Sequence, residues 1–459
     1  MVSQVVVTIW LDLTSSKRIK GFNLLRHLIP CCCILALQLL FQGPNLSSAA
    51  QTKSSDQPTT NSEREKSAQS SGATEDDTQI SEHAAELGFD IKKLESIDRK
   101  MDQLIKSEKV VGCSALILKE GKEVYFGKWG NQNKRKKIPL DRNTIFRIYS
   151  MTKPITSIAA MQLVEQGKLD LDKPIATYLP EFADLKVLET RAGESVEVAP
   201  KRIMTTRDLM RHTSGLTYGF FGNTAVDQRY RKSGVMMTER TIKSTVEKLG
   251  KIPLLHHPGT KFHYGASTDV LGRVIEVVSG QEFDEYLNEN VFEPLGMTDT
   301  FFSVPTAKQD RFAQLYRHRV NGKLIPASPI QSLRFYNQDN AYFSGGGGLC
   351  STVDDYSKFC KMLLNKGELD GARIVKAETI SEMFTNQLAK IERPPGRQFE
   401  FGLGFRKFPQ GDFGWGGAAG TRFWVNPTKQ TAVIFMMQIM PVKKSYGEIV
   451  RDATYSALR

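Results

Sequence analysis

The stretch RIYSMTKPITS, Arg147 to Ser157, places a serine and a lysine three residues apart at a predicted junction between a strand and a helix. Residues three apart share one face of a helix, so Ser150 and Lys153 would point into the same space. A serine hydroxyl is a weak nucleophile until a neighbouring base takes its proton, and a lysine amine is one such base. The same pair also fits an ordinary helix start, with Ser150 as the N-cap and Lys153 in solvent. The rest of the chain decides between these two interpretations.

The segments around this junction predict a sheet made from both ends of the chain. Residues 110–130 contain two β-rich runs joined by EGK, which is typical of an antiparallel hairpin. Strand patterns return late in the chain in TRFWVNP and TAVIFMMQ, whereas helix and loop patterns dominate between. We therefore expect an α+β fold. Its antiparallel sheet would come from about 108–148 and 398–438, flanked by helices, with a mostly helical insertion at about 150–345.

Several predicted helices have clear boundaries. Asp90 to Ser107 has apolar residues at helical spacing, and Tyr446 to Leu458 is predicted as the last helix. The segment STDVLGRVIEVVSG begins with two candidate caps, Ser267 and Thr268, and ends at a glycine. Ser150 lies where the predicted sheet meets the helical insertion. Clefts form at such boundaries, so the position favours a functional role for this serine.

The first 86 residues are predicted to lie outside the folded body. Leu28 to Phe41 is an apolar run of 14 residues, shorter than the roughly 20 residues of a membrane span. It follows basic residues and precedes SSAA, which is typical of a secretory signal cleaved after Ala49 or Ala50. Residues 51–86 have one large aliphatic side chain and no aromatic one, as expected of a flexible polar linker. We therefore predict a signal peptide at 1–50, a linker at 51–86 and a folded domain at 87–459.

Export is the expectation that follows, to the periplasm or the exterior. The alternative is an uncleaved N-terminal anchor, which would attach the protein to a membrane.

The charge of the chain does not favour a nucleic-acid partner. Lysine and arginine number 62 against 50 acidic residues, a formal charge of +12. The basic residues are scattered among acids, as in KRKK (Lys134 to Lys137) followed by Asp141. No zinc-finger spacing or aromatic RNA-binding pattern accompanies them. The sequence therefore predicts no nucleic-acid binding.

The cysteines and histidines predict neither a disulfide framework nor a metal site. Three cysteines lie in the apolar leader, which leaves an odd set that is better explained as buried thiols, with a Cys350–Cys360 bridge left open. His256, His257 and His263 lack the acid or cysteine that would complete a zinc site. The glycine run that begins at Gly345 is not followed by the Lys-Ser/Thr of a phosphate loop, so close packing explains it better. We expect no cofactor and no metal.

Two later segments favour the catalytic interpretation of Ser150. The first, HHPGTKFHYGASTDVLGRVIE, places Tyr264 just before a predicted helix. The second, FGWGGAAGTRFWVNP, places glycines in a strand where a substrate can approach closely. With RIYSMTKPIT, HTSGLTYG, PLGMTDTFF and GGGGLCSTVDDYSKF, these motifs occur in the order found in the penicillin-recognising serine hydrolase superfamily. The chain resembles this superfamily from about 110 to 440. It is most similar to the family VIII carboxylesterases that look like class C β-lactamases.

The resemblance implies a β-lactamase/transpeptidase-like fold and a set of site residues. Ser150 would be the acylated nucleophile, Lys153 its partner, and Tyr264 a phenolate or proton relay. The backbone N–H groups of Ser150 and Ala418 would form the oxyanion hole. The third motif, expected to line the substrate site, would comprise Trp415, Gly416 and Gly417.

Two departures from the β-lactamase pattern bear on the substrate. The third motif usually carries a cation and a hydroxyl that hold a substrate carboxylate, but here it starts with Trp415 and has no charge. The usual asparagine of the second motif falls at Ala266, which has no amide. Both changes suit a neutral ester or amide. The Gly-x-Ser-x-Gly elbow of α/β-hydrolases is absent from the sequence, so an esterase assignment depends on Ser150.

The sequence thus predicts an exported serine hydrolase that cleaves carboxylic esters of small molecules. Hydrolysis of β-lactams or peptidoglycan peptides, acyl transfer to another acceptor, and a non-catalytic scaffold are the alternatives. His212 is expected to make a structural hydrogen bond, with Asp208 and Asp269 as candidate partners. Six aromatic residues are candidates for the wall of an apolar pocket: Trp415, Trp424, Phe220, Phe221, Tyr342 and Phe343.

Overall fold

The computed structural model describes residues 78–236, 241–328, 336, 340–396 and 398–459. The predicted leader and most of the predicted linker lie outside these residues. The strands are β1 Thr78–Ile80, β2 Gly112–Lys119, β3 Lys122–Asn133, β4 Ile138–Pro139, β5 Phe146–Arg147, β6 Val187–Arg191, β7 Glu194–Val198, β8 Tyr316–His318, β9 Leu324–Pro326, β10 Cys350–Ser351, β11 Glu368–Leu369, β12 Ala372–Arg373, β13 Glu400–Phe401, β14 Arg406–Lys407, β15 Phe413–Gly416, β16 Arg422–Asn426 and β17 Thr431–Met437. The α-helices are α1 Ile91–Lys106, α2 Thr152–Glu165, α3 Thr206–Met210, α4 Ala225–Ser233, α5 Ile242–Leu249, α6 Ser267–Ser279, α7 Phe283–Leu287, α8 Val353–Leu364, α9 Ala377–Phe384 and α10 Gly447–Ala457.

One antiparallel sheet joins the two ends of the described chain, as predicted. Its strands lie in the order β1-β3-β2-β17-β16-β15-β14-β13, and β4 pairs with β3. The central contact is between β2 and β17, where Leu116 lies opposite Ile434 and Ile117 opposite Val433. Strands that are far apart in sequence therefore form the middle of the sheet, which confirms the α+β fold.

Both faces of the central strands are buried, because helices cover each side. Successive side chains of a strand point to opposite faces, so Leu116 and Ile434 join one core while Ile117 and Val433 join the other. Helices α1 and α10 pack on one face, and α2, α6 and α8 belong to the core on the other. This explains why β2 and β17 are almost continuously apolar rather than alternating.

The inserted region is mainly helical, but it also contains two hairpins that the sequence analysis missed. Strands β6 and β7 pair across the turn Ala192-Gly193, whose residues have φ of +51° and +88°. Two consecutive positive φ angles are typical of a two-residue turn that matches the twist of a hairpin. Strands β8 and β9 form the second hairpin. The polar composition of β6 and β7 (VLETR and ESVEV) hid the first one from an apolar pattern.

The predicted linker is wrong at its C-terminal end. Thr78–Ile80 pairs with Tyr125–Gly127 of β3, and Ala84 is fully buried. An edge strand needs only backbone hydrogen bonds, so its polar side chains resemble those of a linker. The folded domain therefore includes residues from 78 onward, ahead of the predicted start at 87.

Other local predictions have mixed outcomes. Helix α1 lies within the predicted range from Asp90 to Ser107, and Asp90 caps it through Lys93 N–H. Ser267 and Thr268 are not caps, because Ala266 holds the N-cap position of α6 without a side-chain bond. Cys113, Cys350 and Cys360 are buried free thiols, so the Cys350–Cys360 bridge is absent from the described structure. Within the described ranges, no helix has both the length and the apolar character to cross a membrane.

Candidate active site

Ser150 lies in a short 3-10 turn, Tyr149–Met151, between β5 and α2. Strand β5 is fixed by its pairing with β10, and Ile148 N–H donates to Leu349 O at 3.0 Å. Tyr149 has φ of +44°, a left-handed conformation that is unusual for a bulky residue. The chain thus makes a sharp change of direction just before the serine. Ser150 is partly exposed there.

Lys153 is buried, so the interpretation as an ordinary solvated helix start is wrong. Helix α2 is enclosed on all sides, and its residues from Thr152 to Leu163 are buried. A helix surrounded by the core must place its polar side chains in internal contacts. The Lys153 side chain therefore runs inward beside Ser150, with only 2% of the residue exposed.

The structure brings Ser150, Lys153 and Tyr264 together. The Tyr264 hydroxyl lies 2.7 Å from Ser150 Oγ, and Lys153 Nζ donates to the same oxygen at 3.3 Å. Lys153 Nζ is 4.7 Å from the centre of the Tyr264 ring. Both groups that can accept the serine proton are thus in direct contact with it. This arrangement can activate a serine for attack on a carbonyl.

Tyr264 is held in place by the loop before α6. His263 N–H donates to His212 O at 2.8 Å. A methyl group at Gly265 would lie 2.4 Å from Leu216 O, so this glycine lets the loop pack against the HTSGL segment. The Tyr264 side chain is thereby directed towards Ser150.

Two further residues of the site, Tyr218 and Asp269, were not assigned there by sequence reasoning. Lys153 Nζ donates to the Tyr218 hydroxyl at 3.1 Å, and that hydroxyl donates to Asp269 Oδ2 at 3.2 Å. Asp269 also accepts from the Ser344 hydroxyl and from Gly346 N–H. Burial and the Asp269 carboxylate raise the pKa of Tyr218 well above its usual range, so this phenol stays protonated. The motif HTSGLTYG was the available signal for Tyr218.

The glycine run packs closely at the inner end of the site, as predicted. A methyl group at Gly346 would lie 2.4 Å from Asp269 Oδ2 and 2.6 Å from the Tyr218 oxygen. Gly346 O accepts from Lys153 Nζ at 2.5 Å. The run therefore supplies a backbone acceptor that an alanine would displace.

The third motif lies against the segment that leads into Ser150. The Trp415 ring is 5.6 Å from the Tyr264 ring. A methyl group at Gly417 would lie 2.4 Å from Ile148 O. Gly416 ends β15, and Ala418 is exposed two residues further on. The uncharged motif thus lies beside Tyr264. Its role in lining the substrate site and the oxyanion hole of the Ser150 and Ala418 N–H groups both stay predictions.

His212 packs against Tyr264 instead of making the expected hydrogen bond through Nδ1. Its ring lies 4.9 Å from that of Tyr264, and Nδ1 is buried with no partner among the described residues. Burial lowers the pKa of His212 well below its usual value, with added contributions from Lys153 and His263. Asp208 and Asp269 are not its partners, because Asp208 binds Arg202, Arg211 and Thr213 and Asp269 binds the groups given above. His212 is therefore a neutral packing residue.

The candidate wall residues other than Trp415 lie in three different surroundings. Phe220 and Phe221 are largely exposed and pack near Tyr218 and Tyr264. Trp424 is buried in the core on the α1–α10 face, so its assignment to the pocket is wrong. Tyr342 is buried, and Phe343 packs against Phe302 with ring centres 5.3 Å apart. The sequence around Trp424 did not show on which face of the sheet its side chain would lie.

The remaining clusters of polar residues have local structural partners. His257 contacts Glu189 at 2.7 Å, and burial lowers the pKa of His256 to about 4. No cluster of side chains suited to a metal occurs in the part of the chain that the structure describes. A cavity of about 660 Å³ lies between α8 and α9, lined by residues such as Leu364 and Ile380, and contains none of the candidate catalytic groups.

Comparisons with known proteins agree with this geometry. The profile of the beta-lactamase family matches residues 97–453. Acyltransferase calJ of Penicillium decumbens is 31% identical over 340 residues, which cover 66% of this chain and 78% of that protein. Esterase EstB of Burkholderia gladioli is 29% identical over 274 residues, covering 56% and 67%.

A similar solved structure is that of EstCE1, described as a hydrolase with promiscuous acyltransferase activity. It has a TM-score of 0.68 and 25% identity, and the match covers 82% of this chain and all of that one. The family profile spans most of the folded domain, including Ser150, Lys153 and Tyr264. The chain belongs to the beta-lactamase family within the penicillin-recognising serine hydrolase superfamily, and it is a serine hydrolase-type enzyme.

Proposed function

We propose that this enzyme cleaves neutral carboxylic esters of small molecules through an acyl-enzyme on Ser150. The observation that carries the proposal is the contact of Ser150 Oγ with both Tyr264 and Lys153, at 2.7 and 3.3 Å. A partly exposed serine with two such neighbours is suited to acyl transfer. The uncharged motif at Trp415 favours an ester over a carboxylated lactam.

The reaction has two steps. Ser150 Oγ forms a bond to the carbonyl carbon while its proton passes to the Tyr264 oxygen, which accepts it as a phenolate and becomes a neutral phenol. The Lys153 ammonium stabilises the phenolate before this transfer. The predicted N–H groups of Ser150 and Ala418 bind the oxyanion. The bond to the alcohol oxygen then breaks, and that oxygen takes the proton. Water repeats the sequence on the acyl-enzyme and releases the acid.

The site lacks two features that hold a carboxylate in the β-lactamase pattern. The Trp415 ring packs against Tyr264 and Phe401, with centres 5.6 and 5.2 Å away, in the motif where a cation is usual. Ala266 is fully buried at the start of α6 and offers no amide to a substrate. These contacts support a neutral substrate.

Acyl transfer to an alcohol is the second candidate. It is favoured by the similarity to calJ, named as an acyltransferase, and to EstCE1, a hydrolase with promiscuous acyltransferase activity. The same acyl-enzyme serves both outcomes, because an alcohol in place of water attacks the same carbonyl. The two functions therefore differ only in the second step.

The test is turnover of p-nitrophenyl butyrate and of a chromogenic cephalosporin by the full-length protein and its Ser150→Ala variant. Release of p-nitrophenol that is lost in Ser150→Ala, with the lactam intact, supports the esterase. Efficient lactam opening contradicts it. Adding a primary alcohol and measuring the new ester against free butyrate separates transfer from hydrolysis. Labelling of Ser150 by a fluorophosphonate without turnover of either substrate would indicate a different acyl donor.

We also propose that the enzyme is exported by its N-terminal segment. The support is the apolar run at Leu28–Phe41 followed by SSAA. N-terminal sequencing of the protein from its own host tests this. A mature chain that begins at Ala50 or Gln51 supports cleavage, whereas a retained apolar run favours the membrane anchor.

A further inference from the structure

Two adjacent phenylalanines are exposed beside the site. Phe220 is 55% exposed and Phe221 is 65% exposed. Burial of a phenylalanine side chain stabilises a fold, but this loop leaves more than half of each of these two residues in solvent. The other large apolar residues with high exposure in the described part of the chain are separated from one another in sequence: Val196, Ile203, Val277 and Val320. An exposed aromatic pair next to reactive groups is typical of a binding surface.

These phenylalanines are continuous with the tyrosines of the site. Phe220 stacks on Tyr218 with ring centres 5.3 Å apart and an angle of 15°. Phe221 lies 4.6 Å from Phe220 and 6.0 Å from Tyr264. We call Tyr218, Phe220 and Phe221 the aromatic shelf. It extends from the contact with Lys153 to the solvent.

The loop that carries the shelf is anchored at both ends. The buried carboxylate of Asp227 accepts from the Thr217 hydroxyl at 2.7 Å and from Thr224 N–H at 3.0 Å. Arg231 donates to the carbonyls of Gly219 and Gly222. A loop tied in this way holds its two phenylalanines at a fixed place instead of letting them fold inward.

The position of Tyr264 shows which part of an ester would meet the shelf. When the ester bond breaks, the alcohol oxygen takes a proton, and the Tyr264 hydroxyl is the donor 2.7 Å from Ser150 Oγ. The alcohol oxygen must then lie within hydrogen-bond distance of Tyr264. Its carbon atoms extend past this ring, where Phe221 is the exposed neighbour.

We propose that the aromatic shelf binds the alcohol portion of the substrate and selects esters of bulky apolar or aromatic alcohols. This proposal rests on the esterase function. Phe220 and Phe221 carry no charge and Tyr218 keeps its proton, so the surface favours an apolar group over an ionic one. The acyl group lies on the other side of the ester bond from the alcohol. The shelf therefore does not determine which acyl groups the enzyme accepts.

The experiment compares ethyl butyrate with 3-phenylpropyl butyrate, using the full-length enzyme and its Phe220→Ala/Phe221→Ala variant. Both alcohols are primary and aliphatic, so the intrinsic reactivity of the two esters is similar, and both form the same butyryl-enzyme. We expect the double variant to lose about tenfold or more in kcat/KM for the phenylpropyl ester and less than twofold for the ethyl ester. Acid release in a pH-stat gives both values.

The controls test whether a selective loss comes from the shelf itself. Val320→Ala, at a fully exposed apolar position, should leave kcat/KM for both esters unchanged. Equal losses on the two butyrates, or a selective loss on ethyl 4-phenylbutanoate, whose bulk is in the acyl group, would overturn the proposal. If the wild type hydrolyses neither butyrate in a Ser150-dependent way, the esterase function itself fails. If the wild type hydrolyses the butyrates but the double variant shows no selective loss on the phenylpropyl ester, the proposed role of the shelf is refuted and the esterase function is not.

Discussion

The two tyrosines that flank Lys153 have opposite surroundings. Tyr218, on the inner side, is partly buried and donates to the Asp269 carboxylate. Tyr264, on the outer side, touches Ser150 and packs against the uncharged ring of His212. A carboxylate next to a phenol opposes loss of its proton, whereas a neutral ring does not add negative charge. We therefore expect two identical side chains to act differently, with Tyr218 fixing the lysine and Tyr264 moving a proton.

The largest expected effect is on the outer tyrosine. Tyr264→Phe removes the group in contact with Ser150 Oγ, so kcat/KM should fall by about 10²–10⁴-fold, the usual range for a general acid–base residue. Tyr218→Phe removes only a hydrogen-bond partner of Lys153, so kcat/KM should fall by about tenfold. Both variants are measured on one p-nitrophenyl ester between pH 6 and 9. Similar losses in the two variants would mean that the tyrosines do not have separate roles.

The inner side can be tested through the glycine run. Gly346→Ala would place a methyl 2.4 Å from Asp269 Oδ2 and so displace the carbonyl that accepts from Lys153. Overpacking of this kind costs about 1–3 kcal/mol. We expect both the free energy of unfolding and kcat to fall, measured by urea unfolding and by ester turnover.

Gly347→Ala is the matched control for this change. The nearest atom to its new methyl is 3.6 Å away, an ordinary contact. It should keep the free energy of unfolding close to that of the wild type, whereas its kcat is not compared because the new methyl also lies 3.9 Å from Ser150 N, a predicted oxyanion donor. If it is as damaging as Gly346→Ala, the inner wall is sensitive to any added methyl, and the specific role of the Gly346 carbonyl is refuted.

The carboxylate behind Tyr218 gives the third test. Asp269 accepts hydrogen bonds from Tyr218, Ser344 and Gly346. Asp269→Asn keeps the shape of the side chain but replaces one of its acceptor oxygens with a donor, so at least one of these bonds is lost. A buried hydrogen bond lost in this way costs about 1–3 kcal/mol. We expect lower stability in urea and a kcat reduced by about tenfold, because Lys153 and Tyr218 lose their fixed positions.

Asp208→Asn is the control for that test, because it distinguishes a loss of stability from a loss of the fixed positions of Lys153 and Tyr218. Asp208 is also buried, but its carboxylate accepts from Arg202 and Arg211 rather than from Tyr218 or Ser344. This variant should lose a similar amount of stability while its kcat stays within about twofold of the wild type. An unchanged kcat in Asp269→Asn would show that the carboxylate has no positioning role.

The comparison of the two tyrosines also shows what the sequence could and could not predict. Ser150, Lys153 and Tyr264 were identified because they lie in ordered motifs, and the sheet was identified because β2 and β17 are strongly apolar. The role of Tyr218 depends on Asp269, which is 51 residues away along the chain. A contact between distant residues leaves no local pattern in one sequence.

Backbone-driven features were missed for a related reason. Thr78–Ile80 and the β6–β7 hairpin are polar, and they form through backbone hydrogen bonds that no side-chain pattern reveals. Trp424 was misplaced because its face of the sheet follows from register, where it lies opposite Gly414 and Val433. Register was not available before the strands were paired.

The smallest expected effect concerns the neutral ring behind Tyr264. Burial lowers the pKa of His212 below its usual value, and likewise those of His256, to about 4, and His263. The unfolded chain takes up these protons near pH 6.5, whereas the folded chain does so only at lower pH. The unfolded state therefore binds more protons between these values, and the free energy of unfolding falls as the pH falls below about 6.5.

His212→Phe keeps an aromatic ring against Tyr264 but removes the titration, so its stability should fall less steeply between pH 7.5 and 5.0, by an amount on the order of 1 kcal/mol. Urea midpoints at the two pH values measure this. An unchanged slope in His212→Phe would mean that the ring is charged in the folded enzyme, and the contrast between a neutral partner for Tyr264 and a charged one for Tyr218 would then be lost.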